Sequence, residues 1–165
     1  MTARIGSAAT AKVIRRMTGP AGVNSSIAAL TEGMPPAGVL DAAQVRAQNV
    51  VADLADRTGL VKYPSVQVYC EKVVNDLREK FRSFSGKLHL VVEVRHSQDR
   101  LEGLQDALEL YADAVTRVLN ESRGDWGDGM FYSGGFEVSF GAVKGGGRNF
   151  IQVAKVTLEI GVSRS

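Results

Sequence analysis

The eleven residues Ser85-Gly86-Lys87-Leu88-His89-Leu90-Val91-Val92-Glu93-Val94-Arg95 form the clearest strand pattern in the chain. Successive side chains of a strand point to opposite faces, so Leu88, Leu90, Val92 and Val94 share one face and Lys87, His89, Val91, Glu93 and Arg95 the other. The pattern predicts a sheet with one face buried and the other largely wet. A sheet of this kind needs something apolar to cover it, and the sequence on either side supplies candidates.

Immediately downstream, Leu101, Leu104, Leu108, Tyr111, Ala112, Val115, Val118 and Leu119 repeat at steps of three and four, which predicts a helix from about Leu101 to Asn120 with one apolar stripe. Ser97 and Asp99 are its candidate caps. Gly124-Asp125-Trp126-Gly127-Asp128-Gly129 then reads as a turn-rich break. Two strands follow, Phe131 to Val143 and Asn149 to Ser163, joined through Lys144-Gly145-Gly146-Gly147-Arg148 into a long hairpin.

Upstream, Pro64 opens a strand in which Val66, Val68 and Cys70 lie on one face and Gln67 and Tyr69 on the other. Between Leu40 and Arg57 the pattern fits a strand (Val45, Ala47, Asn49) or a helix (Ala43, Ala47, Val50, Leu54), with helix preferred. Residues 1–40 differ in composition, being rich in Ala, Gly, Ser and Thr. Ala11 to Met17 and Ser25 to Thr31 suit short helices there, with Asn24 or Ser25 as N-cap of the second. Ile14, Met17, Ile27 and Leu30 have no obvious place in the core of the downstream domain, so residues 1–40 read as an N-terminal helical arm and 41–165 as one α+β domain. The expected fold is therefore α+β: a mainly antiparallel sheet packed against a long helix, with that arm and a long C-terminal hairpin.

Composition narrows the function classes. With 44% hydrophobic and 23% charged residues the chain is composed like a folded globular protein, not a disordered one. Lys and Arg number 20 against 18 Asp and Glu, so no strong field draws it to nucleic acid or an anionic membrane. No run of about 18 apolar residues spans a bilayer, and no secretory signal opens the sequence. A protein made and kept in the cytoplasm is expected, and the single Cys70 excludes an intrachain disulfide.

Residues with chemical potential are few and scattered. His89 and His96 are too far apart in sequence for the paired imidazoles of a metal-binding helix. No histidine adjoins Cys70 to activate it. Asp125 and Asp128 serve a turn better than a carboxylate pair. Lys144 to Arg148 lacks the following helix that a phosphate cradle requires. It reads as a hairpin turn, or as two cations that touch an acidic surface or passing DNA. No enzyme and no cofactor is expected.

Several stretches carry a resemblance as a set: Tyr63-Pro64 through Val66-Gln67-Val68-Tyr69-Cys70, Phe84-Ser85-Gly86, Glu93-Val94-Arg95-His96-Ser97 and Asp99-Arg100-Leu101. Leu110-Tyr111-Ala112-Asp113-Ala114-Val115, Gly124-Asp125-Trp126 and the strand after Gly145-Gly146-Gly147 continue it in order. Over roughly residues 60–165 the chain resembles the tail-terminator (tail-completion) proteins of tailed bacteriophages. The resemblance implies an α+β fold and a homo-oligomeric ring, typically a hexamer, seated on the last ring of tail-tube protein. Such a ring stops tube polymerisation and presents a face to the head connector, with genome DNA later passing through its lumen. It places the chain in the virion neck, assembled in the host cytoplasm, without a catalytic or metal site. Lys144, Gly145, Gly146, Gly147 and Arg148 are then the candidate partner-binding segment. The competing readings are another neck component, whether a head-tail joining or a head-completion protein, and a small nucleic-acid-binding module.

Overall fold

A computed structural model describes residues 4–35, 38–57, 61–146 and 149–165. The chain is α+β, with a curled mixed sheet of eight strands. In chain order the elements are α1 (Ile5–Thr18), α2 (Val23–Leu30), a 3-10 turn (Ala42–Gln44), β1 (Val45–Arg46), α3 (Ala52–Arg57), β2 (Ser65–Asn75) and β3 (Phe84–Gln98). They continue with α4 (Leu104–Asn120), β4 (Gly124–Gly127), β5 (Met130–Tyr132), β6 (Phe136–Phe140), β7 (Lys144–Gly146) and β8 (Asn149–Arg164).

The strand order is β1-β2-β3-β8-β5-β4, with β6 and β7 also paired to β8. Among the described strands only the β1–β2 pair is parallel. β3 and β8 align over their whole length, from Phe84 opposite Arg164 to Gln98 opposite Phe150. The other edge of β8 is met in succession by β5, β6 and β7. The expected hairpin is thus one long antiparallel ribbon whose outgoing strand is broken into three pieces while β8 runs through.

Gly86 has a specific reason to be glycine. A Cβ there would lie 1.9 Å from the carbonyl oxygen of Val74 on the neighbouring strand, so the close β2–β3 approach requires its absence.

The inner face of the sheet carries Leu88, Leu90, Val92 and Val94 with their cross-strand partners Ile160, Leu158, Val156 and Ala154. All eight are buried, and α4 closes over them with Leu108, Tyr111, Ala112, Val115, Val118 and Leu119. The helix starts at Leu104 rather than Leu101, because Gly103 takes φ 76 just before it and Ser97 still belongs to β3. Neither Ser97 nor Asp99 caps it; no side-chain cap bond is made.

Four readings are corrected. First, the apolar residues of the N-terminal region have a place in the core. Ile5, Val13, Met17, Val23 and Ile27 are buried in the same cluster as the sheet and α4, with α1 against β2 and α2 against α4. Each full burial of such a side chain is worth about 1.5–3 kcal/mol, which favours docking over extension. Asn24 is not a cap: its side chain bonds the backbone of Leu40 in both directions, at 2.7 and 2.8 Å, and clips the following segment down.

Second, residues 40–57 form no single helix; only Ala52–Arg57 is α-helical, after a 3-10 turn and two strand residues. Third, part of the Gly124–Gly129 break is β4, paired with β5 across a turn. Fourth, the outer face of β3 is not wet at its centre: Val91, Glu93 and Arg95 are buried. The segment entering α3 crosses this face, and the Arg95 guanidinium donates to the Val50 carbonyl.

Candidate interaction surfaces

Polar side chains on the outer face converge on Glu93. Arg95 donates to Glu93 Oε2 from Nε at 3.2 Å and Nη2 at 2.6 Å. The Tyr69 hydroxyl donates to Oε1 at 3.1 Å, and Lys155 Nζ stands 3.5 Å from the same oxygen. Burial, and then the adjacent Glu93 charge, hold the Tyr69 phenol above its usual range. This cluster adjoins a 370 Å³ hollow whose rim includes Val51, Phe140, Lys144 and Lys155.

Lys144 thus lines the same hollow as Arg95 and Lys155. Lys144–Gly146 form β7, paired with Asn149–Ile151, so the segment is the end of the ribbon as its sequence suggests. Gly147 and Arg148 lie outside the described residues.

Histidine and cysteine are not brought together. Cys70 is opposite Leu90 and packs toward Gly6 of α1, with burial raising its thiol pKa. His89 points to the other face, 3.5 Å from Glu159. His96 sits at the far end of β3 against Tyr111, ring centroids 5.4 Å apart. Its Nδ1 has no partner, and burial holds its pKa below the usual value. Among the described residues no group of three or more His, Cys, Asp or Glu is arranged for a metal ion, and no helix is long and apolar enough to cross a membrane.

Asp125 and Asp128 are structural. Asp125 accepts from the Gly127 amide at 2.8 Å. Asp128 pairs with Lys12 at 2.9 Å, and Lys12 also donates to the Trp126 carbonyl at 2.9 Å. Arg16 lies 4.2 Å over the Trp126 ring, so this corner clamps α1 to the β4–β5 turn.

What sequence reasoning missed in the β2–β3 connection, residues 76–83, is its exposed apolar residues. Phe81 is 100% exposed and Leu77 61% exposed. Both have left-handed backbone, φ 63 and φ 50, a conformation that costs a side-chain-bearing residue about 1–2 kcal/mol.

This connection is held in place. Asn75 Oδ1 accepts from the Ser85 amide at 3.0 Å, and Ser85 Oγ accepts from the Glu79 amide at 3.0 Å. Glu79 Oε2 accepts from the Ser163 hydroxyl at 2.8 Å, and the Ser83 amide donates to the Arg164 carbonyl at 3.0 Å. The loop is therefore tethered while it shows a phenylalanine to solvent. In the sequence these two apolar residues lie within the mixed-charge stretch Glu71, Lys72, Asp76, Arg78, Glu79, Lys80 and Arg82, which reads as a solvated face or as an intersubunit rim where charge pairs fix orientation.

Both lateral edges of the central sheet are also open among the described strands. β1 covers only Val66 and Gln67 of β2, and β6 is paired on one side only. Beside the uncovered part of β2 runs a groove of 880 Å³, lined by α1, residues 47–49 and β2 itself. On β6, Phe136 and Phe140 are 37% and 40% exposed.

No family model matches this chain, and no curated protein matches it.

Proposed function

We propose that this chain is a structural virion protein whose copies close into a ring on the end of a phage tail tube, end its growth and offer the head connector a docking face. Its partners are further copies of itself, the tube protein and the connector, and genome DNA crosses the ring without sequence-specific contact. On this reading the protein acts through shape and carries out no catalysis.

The observation that supports the reading most is the tethered 76–83 loop. A chain needing only to reverse direction there does so at less cost with glycine or asparagine in the left-handed positions. Backbone strain of this kind persists where the surroundings hold it and a function uses it. Exposed apolar groups on a fixed loop and on two sheet edges suit a protein that mates with others through several separate surfaces.

The test is binding to purified tail-tube protein. The expected outcome is capture by assembled tube, strongly weakened in Phe81→Ser. Binding to a portal-side connector but not to tube moves the chain to another neck position. Virions lacking the chain that still carry head-attached tails of normal length overturn the proposal.

A further inference from the structure

We infer that the open edge of β6 in one copy pairs with the open edge of β2 in the next, so that the sheets of neighbouring copies join head to tail. The inference rests on the ring reading and names its contact.

Strand direction makes the junction regular. β2, β3, β8 and β6 are neighbours in that order, each antiparallel to the next, so β2 and β6 run in opposite senses. Placing a second copy beside the first by rotation about an axis along the strands preserves those senses. The junction β6–β2 is then antiparallel like every other in the run, and the ladder continues without a break.

Side-chain facing agrees. Phe136, Val138 and Phe140 lie opposite Leu158, Val156 and Ala154 and so share the inner face. On β2 that face carries Val68, Cys70 and, beyond the bulge, Val73, which is 49% exposed. Joining the two edges in this orientation sets one apolar row beside the other, where cross-strand pairs contribute most. Exposed Lys72 on β2 and exposed Glu137 on β6 belong to the outer face and carry opposite charge.

Space and charge favour unlike edges over like ones. Among the described residues the 880 Å³ groove beside β2 is lined by Arg4 and Arg15 and by no acidic side chain. Pairing two β2 edges brings these cations of both copies together, which is repulsive, and leaves both β6 edges bare. Pairing β6 with β2 uses both edges of every copy, and bare strand edges invite uncontrolled association.

Two measurements on the full chain test this. Native mass spectrometry at rising concentration should show a closed oligomer for the wild type and monomer for Phe136→Lys/Phe140→Lys, with both proteins retaining the same far-ultraviolet circular dichroism. In a Cys70→Ser background, Lys72→Cys combined with Glu137→Cys should oxidise to a ladder of covalent multimers, while neither single cysteine does. Covalent dimers from a single cysteine, with no ladder from the pair, overturn the inference in favour of like-edge pairing. An oligomer unchanged by the double lysine variant, still captured by tube protein, also overturns it and leaves the cap standing. A wild type that stays monomeric alone and with tube protein overturns both.

Discussion

At the residue scale, two charged clusters make predictions of opposite kinds. Asp128 is a solvent-facing carboxylate whose pKa the Lys12 hydrogen bond and charge lower from the ordinary value. A native pKa below the unfolded one means the stabilisation is complete above the unfolded value, near pH 4, and is lost as pH falls through the native value. Asp128→Asn should therefore lower the urea midpoint at pH 7, and the gap to wild type should close as pH drops below 4. Glu93 is the buried counterpart. Glu93→Gln leaves the Arg95 guanidinium, 3% exposed, without its counter-charge, and should cost about 3–5 kcal/mol in urea unfolding at pH 7. Glu93→Leu/Arg95→Leu should cost less than the single change, since it leaves no lone charge behind. The sequence showed Glu93 and Arg95 on one face, but not that a segment some forty residues earlier would cover them. Alternation reports which side a residue points to, and says nothing about what crosses it.

At the element scale, α4 was legible because its stripe repeats over five turns, and only its start moved, to the residue after Gly103. The short elements β1 and α3 were not legible, since two strand residues or six helical ones give too little periodicity to separate the patterns. The ribbon end at Lys144–Gly146 was visible from its glycines. The 76–83 loop was not, because left-handed backbone at Leu77 and Phe81 has no sequence signal when neither is Gly, Asn or Asp. Its prediction follows from that strain. Phe81→Gly should raise stability by about 1 kcal/mol through relief of the left-handed cost, measured by thermal and urea unfolding, while weakening capture by tube protein. A substitution that stabilises the fold and impairs binding marks a residue kept for its partner; one that destabilises the fold assigns Phe81 to holding the loop.

At the scale of the whole molecule, the α+β class and the antiparallel majority followed from alternation and the order of patterns. What composition alone misjudged was residues 1–40. Small residues such as Ala9 mark them as different, yet they let α1 lie close to β2, and the deciding partners of Lys12, Trp126 and Asp128, lie more than a hundred positions further along the chain. β8 has a consequence of its own. As the sixteen-residue strand that receives β3 on one side and β5, β6 and β7 on the other, it is also the last of the eight to leave the ribosome. Until it emerges, β3 offers a bare, strongly hydrophobic flank inside a crowded cell, and the nascent chain passes through a stage at which chaperone capture and mispairing compete with completion of the sheet.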